Sequence, residues 1–302
     1  ENAPVNALSQ SVRVGLIAGM DNALQDDGVN AIIITSSLAL FSGGADISEF
    51  ASGNMSPMLP DVLEKIEQSS KPVFAVLPGP AFGGGLEVAL SCHHRITFAG
   101  NKVGLPEVNL GILPGAGGTQ RLPRLADAVT SLTMITTGKP HPVEKLPGVF
   151  DLVLPSADDA QAKIAQFIGQ TLAAGNGIKR TCDIALEMTD ELNAVFAATR
   201  EQVAKQSRGF FAPAKCVDAV EAAYILPFND GLKREGELFM ECMRTPQARA
   251  QQHFFFAERA AGHVADYDKT TPVRDIKKVA VIGAGTMGGG IAMNFANAGI
   301  PV

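Results

Sequence analysis

Two glutamates stand where acid–base chemistry could be done. Glu87 falls in the first turn of a helix that Gly83-Gly-Gly85 introduces, and Glu107 follows twenty residues later in a stretch dense in glycine and proline. Two carboxylates can hold one water between them. One accepts its proton while the other, kept protonated by its neighbour and by burial, supplies a proton. For either glutamate alone a plainer reading stands: Glu87 complements a helix N-terminus and Glu107 is a solvated loop charge. The glycines add a second ingredient. The segments Phe41-Ser-Gly-Gly-Ala-Asp-Ile-Ser-Glu-Phe50 and Gly79-Pro-Ala-Phe-Gly-Gly-Gly-Leu-Glu-Val88 put glycine at strand-to-helix turns. There the backbone can approach a ligand and point amide N–H groups outward at the positive end of the next helix. Two such turns could each give one donor, and two converging donors make an oxyanion hole for a carbonyl oxygen that gains negative charge. A single turn of this kind is more often only a tight turn.

The elements that must position these groups are legible in outline. A helix is expected after Ser9, with Val12, Leu16, Met20 and Leu24 at intervals of four. Ala31 to Thr35 reads as a core strand covered on both faces. The unit recurs as a helix over Asp61 to Gln68, a strand over Val73 to Leu77 and the turn at Gly83 to Gly85. Strand, glycine loop and helix, twice over, predict an α/β fold whose loops gather on one side. Lys102 to Arg124 reads as an ordered loop. Beyond Asp158 the pattern turns helical, over Ala160 to Leu172, Ile184 to Lys205 and Ala248 to Ala261. The Phe50 to Leu59 segment, with Met55, Met58 and Leu59, is divided evenly between an adaptable wall for an apolar ligand and a loop with a few core anchors.

Composition narrows the class. With 302 residues, 46% hydrophobic and 19% charged, the chain has apolar material for a large domain and a satellite, or two domains. A net charge of −6 argues against a duplex nucleic-acid surface, which needs clustered Lys and Arg. No apolar run reaches the roughly 18 residues of a membrane span. Cys92, Cys182, Cys216 and Cys242 form no CxxC pair and read as buried free thiols, with no metal site expected. His93 and His94 could be ligands or bases, but a structural place at a strand start is the stronger reading.

The two glycine segments, together with Gly104-Leu-Pro-Glu-Val-Asn-Leu-Gly-Ile-Leu-Pro-Gly-Ala-Gly-Gly-Thr-Gln-Arg121, resemble the signature of the enoyl-CoA hydratase/isomerase (crotonase) superfamily from about Pro4 to about Pro123. The resemblance implies a spiral of repeated ββα units in which the backbone N–H groups of Ala45 and Gly84 hold a thioester oxygen. It implies that Glu87 and Glu107 are the two catalytic acids. Members that only isomerise or hydrolyse often lack one acid, so the presence of both favours hydration. Val5-Asn-Ala-Leu8 resembles the family's loop near the CoA adenine and pantetheine. Val5, Asn6, Ala7, Leu8, Gly44, Asp46, Ile47, Gly83 and Pro106 are accordingly expected along the substrate. Ser48 departs from the pattern, since many members carry Lys or Arg there near the CoA phosphates.

At the other end, Lys277-Lys-Val-Ala-Val-Ile-Gly-Ala-Gly-Thr-Met-Gly288 is an apolar strand followed by GxGxxG, with Gly283, Gly285 and Gly288 in the fingerprint positions and an Ala-rich helix after them. This piece would seat the pyrophosphate of NAD, but it cannot bind NAD unaided. The pairing resembles the multifunctional β-oxidation enzymes, in which a hydratase domain precedes a 3-hydroxyacyl-CoA dehydrogenase domain, most closely the peroxisomal-type branch. Ala214 to Glu221 and Gly231 to Phe239 resemble that family's connecting helices. The expected organisation is a hydratase core over 1–190, a helical extension and linker over 191–275, and the start of an NAD-binding Rossmann domain over 276–302. Both ends look cut, since the family normally places a β-hairpin before Pro4. The implied substrates are acyl-CoA thioesters, with no cofactor for hydration, NAD for the dehydrogenase part, and that domain as partner. The implied location is bacterial cytoplasm or the peroxisome. Three rivals remain: Δ3,Δ2-enoyl-CoA isomerisation in the same pocket, a non-catalytic acyl-CoA-binding module, and a serine hydrolase built on Ser42, which lacks a GxSxG elbow.

Overall fold

Ile32–Ile34 (β1), Val73–Val76 (β2), His94–Phe98 (β4) and Leu152–Leu154 (β7) align as an all-parallel sheet in the order β1-β2-β4-β7. The structure is a computed structural model that describes residues 1–51, 56–175, 177–262 and 270–302. Parallel pairing requires crossovers, and helices supply them: α2 (Leu59–Glu67) between β1 and β2 and α3 (Gly84–Ser91) between β2 and β4, with α1 (Gln10–Gln25) leading into β1. A second, three-stranded sheet is formed by β3 (Ala81–Phe82), β5 (Lys102–Gly104) and β6 (His141–Pro142). Each excursion from the first sheet into the second and back carries one of the glycine turns.

The sequence pattern explains these choices. β2 is buried at all four positions, so it reads as a continuous apolar run. Phe74, Val76, Ile96 and Leu154 form one face, packed by Ile164, Phe167 and Ile168 of α6 (Ala160–Ala173). Burial of side chains of this size is worth about 1.5–3 kcal/mol each. α2 buries Val62, Leu63 and Ile66 and keeps Asp61 in its first turn, where the helix dipole favours a negative charge. The pair α4 (Gly118–Leu125) and α5 (Ala128–Thr137) turns at Asp127, whose carboxylate caps α5 by accepting the Thr130 N–H at 2.8 Å.

The helical extension comprises α7 (Asp190–Gln206), α8 (Ala212–Ile225), α9 (Phe228–Met243) and α10 (Pro246–Ala261). α8 is the most buried, with Cys216, Val217, Ala219 and Val220 fully enclosed. The small residues of this helix let α4, α5, α7 and α9 all lie against it.

The chain divides into two compact units, Glu1–Phe255 and Phe256–Val302. In the second, α11 (Thr286–Asn297) follows the GxGxxG turn. Residues 277–282 do not form the expected strand: among the described residues no strand lies beside them, and only the Val279 N–H is tied, to the Pro301 carbonyl at 2.9 Å. A strand without a neighbour has no ladder to close.

Three further expectations need correction. β1 is not covered on both faces: it is a sheet edge, and Ile33 is 49% exposed. Lys102 to Arg124 is not all loop, since β5, a 3₁₀ turn over Glu107–Leu110 and α4 lie within it. Ile184 to Lys205 is not one helix, because α7 starts only at Asp190, capped by Thr189. Cys92, Cys216 and Cys242 are buried free thiols, whereas Cys182 is half-buried.

Candidate active site

The first glycine loop is held by the N-terminal segment. Leu8 N–H donates to the Gly44 carbonyl and Gly43 N–H to the Val5 carbonyl, both at 2.8 Å. Asn6, in the left-handed region at φ 49°, donates from Nδ2 to the Phe41 carbonyl at 2.7 Å. Ser42 Oγ donates to the Asn6 carbonyl at 2.7 Å and accepts the Gly44 N–H at 3.1 Å. Ser42 is thus a turn residue without a base, which removes the serine-hydrolase reading. Ala7 supplies its carbonyl to Ser9 N–H at 2.8 Å, and Val5 is 51% exposed.

The second loop lies directly against the first. A side chain on Gly44 (φ 102°) would come within 2.9 Å of the Phe82 carbonyl and 3.4 Å of the Gly84 nitrogen. One on Gly84 would meet the Ala45 nitrogen at 3.3 Å, Leu8 Cδ1 at 3.2 Å and Leu59 Cδ2 at 2.8 Å. Only bare backbone permits this approach. The Ala45 and Gly84 N–H groups donate to no other group among the described residues. The arrangement therefore offers two neighbouring unused donors, one at a helix start, beside an apolar patch of Leu8 and Leu59. Asp46 is engaged in its own turn, accepting from Ser48 Oγ at 2.6 Å and Ser48 N–H at 3.1 Å. Ile47 opens the 3₁₀ turn that follows. Of the Phe50 to Leu59 segment, residues 52–55, including Met55, lie outside the described residues, while Leu59 begins α2.

The two acids are both buried and lie near enough for the Glu87 charge to act on Glu107. Glu87 sits in the first turn of α3, 2% exposed, its N–H bonded to the Gly83 carbonyl. Its Oε1 accepts the Ala116 N–H at 2.9 Å and the Gly118 N–H at 2.8 Å. Glu107 follows Pro106 at the start of its 3₁₀ turn, and its Oε1 lies 2.9 Å from where a Cβ on Gly83 would stand. Its Oε2 is buried and has no hydrogen-bond partner among the described residues. Burial raises the Glu87 carboxyl above the usual carboxylate range, opposed by the two N–H donors and the Arg121 charge. Glu107 is pushed well above that range, first by burial and then by the Glu87 charge. Both carboxyls are raised, Glu107 further than Glu87, because the Ala116 and Gly118 N–H donors favour the charged form of Glu87 alone.

A third acid was not singled out from the sequence. Glu235 of α9, 1% exposed, accepts the Gly117 N–H at 2.6 Å with Oε1 and the Thr119 N–H at 3.0 Å with Oε2. Burial, then the Glu87 charge, pushes its carboxyl up to about 8. The sequence held a signal: Gly231, Glu235, Leu238 and Cys242 form the buried stripe of α9, and a glutamate in such a stripe requires partners. Around these acids, Arg121 pairs with the buried Glu67 at 2.7 Å and donates to the Ala116 carbonyl at 2.9 Å. On the other side, α10 places Gln251 Nε2 against the Val108 and Asn109 carbonyls at 3.4 and 3.3 Å.

His93 and His94 take no part in this cluster. His94 opens β4, and His93 accepts the Val73 N–H at 3.0 Å. Among the described residues no group of three His, Cys, Asp or Glu side chains is placed to hold a metal ion, and no helix is long and apolar enough to cross a membrane. In the second unit, Gly283 adopts φ 104°, and Gly288 approaches so closely that a side chain there would strike the Gly283 carbonyl. Gly285 and Gly289 have open space beside them. The tight turn, the close approach and the bare helix start fit a phosphate cradle.

The parallel sheet with its helical crossovers, carrying two unused backbone donors and two buried acids, defines a protein of the crotonase fold. The family model described as "Enoyl-CoA hydratase/isomerase" matches residues 1–175, and the chain belongs to that family. A second model, "3-hydroxyacyl-CoA dehydrogenase, NAD binding domain", matches residues 278–302. The chain is 42% identical over 310 residues to the "Peroxisomal bifunctional enzyme" of Danio rerio and 40% identical over 311 residues to that of Homo sapiens, covering 100% of this chain in each case. It is 34% identical over 316 residues to the "Peroxisomal fatty acid beta-oxidation multifunctional protein MFP2" of Arabidopsis thaliana. The chain spans about 42–43% of the length of these relatives. Among solved structures, an enoyl-CoA hydratase from Mycobacterium avium subsp. paratuberculosis matches with a TM-score of 0.56 and 20% identity, over 82% of this chain and 88% of that one. One from Bacillus halodurans matches with a TM-score of 0.58 and 18% identity, over 82% and 90%. These two likenesses establish the fold.

Proposed function

We propose that the unit Glu1–Phe255 adds water across the 2,3 double bond of a trans-2-enoyl-CoA to give the 3-hydroxyacyl-CoA. The observation that carries this reading is the contrast between the acids: Glu87 is clamped by two N–H donors, while the Glu107 Oε2 is buried, without a partner among the described residues, next to Gly83 and the unused donors. The thioester oxygen accepts from the Ala45 and Gly84 N–H groups, which draw electron density from C3. Glu87 accepts a proton from a water whose oxygen bonds to C3, and Glu107 delivers its proton to C2. One oxyanion donor is typically worth roughly 3–4 kcal/mol of barrier. Val5, Asn6, Ala7, Leu8, Gly44, Asp46, Ile47, Gly83 and Pro106 line the path of the CoA and acyl groups. The same two acids also suit proton transfer between C4 and C2, so Δ3,Δ2-isomerisation accompanies hydration.

The organisation that goes with this reading is a hydratase core over 1–190, a helical extension and linker over 191–275, and the start of an NAD-binding Rossmann domain over 276–302 whose Gly283, Gly285 and Gly288 meet the pyrophosphate. In the whole protein a 3-hydroxyacyl-CoA dehydrogenase oxidises the hydrated product in fatty-acid β-oxidation, in a peroxisome. NAD serves that step as hydride acceptor, and hydration needs no cofactor. The test is Glu107→Gln with crotonyl-CoA, followed by loss of enoyl absorbance. Removing the acid should lower kcat by about 10²–10⁴-fold, and hydration at the unaltered rate would remove Glu107 from the mechanism.

A further inference from the structure

Four successive backbone N–H groups of the loop before α4 are shared alternately between two buried carboxylates. Ala116 and Gly118 donate to Glu87 of α3, at 2.9 and 2.8 Å. Gly117 and Thr119 donate to Glu235 of α9, at 2.6 and 3.0 Å. The peptide planes of such a stretch are linked, so fixing alternate N–H groups on one side fixes the direction of those between them. Gly117 sits at φ 94°, a conformation that glycine reaches without strain. Arg121 adds a third tether by donating to the Ala116 carbonyl.

We propose that Glu235 is a positioning residue of this active site: by gripping Gly117 and Thr119 it aims the Ala116 and Gly118 N–H groups at Glu87 and so keeps Glu87 ionised and oriented. The inference rests on the hydration reading above and extends it to the helical region. The charged and titratable groups around the loop are Glu87 on α3, Arg121 on α4, Glu67 on α2 and Glu107. With its carboxyl pushed up to about 8, Glu235 holds a proton more readily than a free glutamate. Its Oε1 accepts the Gly117 N–H, and its Oε2 accepts both the Thr119 N–H and the Thr119 Oγ1 hydroxyl, the latter at 2.5 Å. A proton on Glu235 also spares Glu87 the repulsion of a second buried anion.

An amide keeps one acceptor oxygen for the loop and leucine keeps none, so Glu235→Gln and Glu235→Leu grade positioning against mere packing. The leucine variant fills the space without either bond. In Glu235→Leu, kcat for crotonyl-CoA should fall by about 10–100-fold, the scale of a small misplacement of a catalytic group, with KM within about threefold. The acid limb of its kcat profile should move to higher pH, because Glu87 loses donors that favour its charged form. Glu235→Gln, which keeps one of the two acceptors, should recover part of that kcat, with its limb between those of wild type and Glu235→Leu. An unaltered kcat in Glu235→Leu, a lowered kcat with an unmoved limb, or no recovery in Glu235→Gln would each overturn the proposal. The carboxyl titration of Glu87, followed by 13C NMR and assigned with Glu87→Gln, tests the same point without turnover. An upward shift in Glu235→Leu supports positioning even where wild-type protein leaves crotonyl-CoA unhydrated, a result that would sink the hydration reading alone; an unmoved titration overturns positioning.

Discussion

Two glycine-rich turns, Gly83–Gly85 and Gly283–Gly288, look alike in sequence and differ in what surrounds them. Each opens a helix, and each contains a positive-φ glycine, Gly83 at 53° and Gly283 at 104°. In the first, every glycine touches another part of the chain: Gly83 meets Glu107, Gly84 meets Leu59, Leu8 and Ala45, and Gly85 meets Ser42. In the second, Gly283 and Gly285 face open space, and Gly288 meets backbone and a side chain only seven residues away at most. The lesson is that turn geometry is encoded locally, whereas a site is made where a turn is also the place at which distant segments converge. The segment before each turn obeys the same rule: β3 pairs with β5 and is bridged to Ser42, while residues 277–282 have no strand beside them among the described residues.

The largest break in this comparison should come from Arg121, the charge that supports the loop clamped between α3 and α9. Arg121→Ala leaves the buried Glu67 without its cation, a change of the kind that costs about 3–5 kcal/mol. Urea unfolding should show that loss, and a midpoint equal to wild type would mean Glu67 is satisfied by its other partners, such as the Cys182 N–H at 3.0 Å. Next comes Gly85→Ala. Its methyl would stand 2.6 Å from Ser42 Cβ and 2.8 Å from the Ser42 carbonyl, so the two loops must part. Overpacking of this kind costs about 1–3 kcal/mol, and hydration should fall with stability because the Ala45 and Gly84 donors separate.

The buried acids give a pH signature. A carboxyl whose folded value is raised stays protonated while the unfolded chain ionises, so stability is full below the unfolded value and declines as pH climbs toward the folded one. For Glu235 that window runs from the ordinary 4.5 up to about 8, and Glu107 acts in the same direction. Thermal midpoints should therefore fall between pH 5 and pH 8, and Glu235→Gln should flatten part of that fall. A wild-type midpoint that rises through this range would show that these carboxyls ionise freely in the folded protein.

These contrasts also explain what was legible in the sequence. Glu87 and Glu107 could be found because each stands beside glycines whose spacing marks a turn, and a turn is a local property. The recurring strand, turn and helix gave the α/β layout for the same reason. Glu235 could not be paired with its loop, since 116 positions separate it from Thr119 and only tertiary packing brings α9 there. The exposed face of β1 was misread because periodicity cannot say which strand ends a sheet. The single helix read over Ile184 to Lys205 failed where Thr189 caps α7 and the preceding residues run extended.

The smallest expected effects lie in the second turn, and they sharpen the comparison most. Gly285 has φ −74° and ψ −174° with nothing near a future side chain, a backbone that alanine adopts freely. Gly285→Ala should leave the unfolding midpoint within about 0.5 kcal/mol of wild type, as for an open surface position, and should disturb few amide resonances. Gly288→Ala directs its methyl into the Gly283 carbonyl, whose atoms lie in the same short turn. The turn must open, so amide resonances from Gly283 to Gly289 should move. Unmoved resonances in Gly288→Ala would mean that the close approach is not held in solution, and the likeness between the two turns would then end at their sequences.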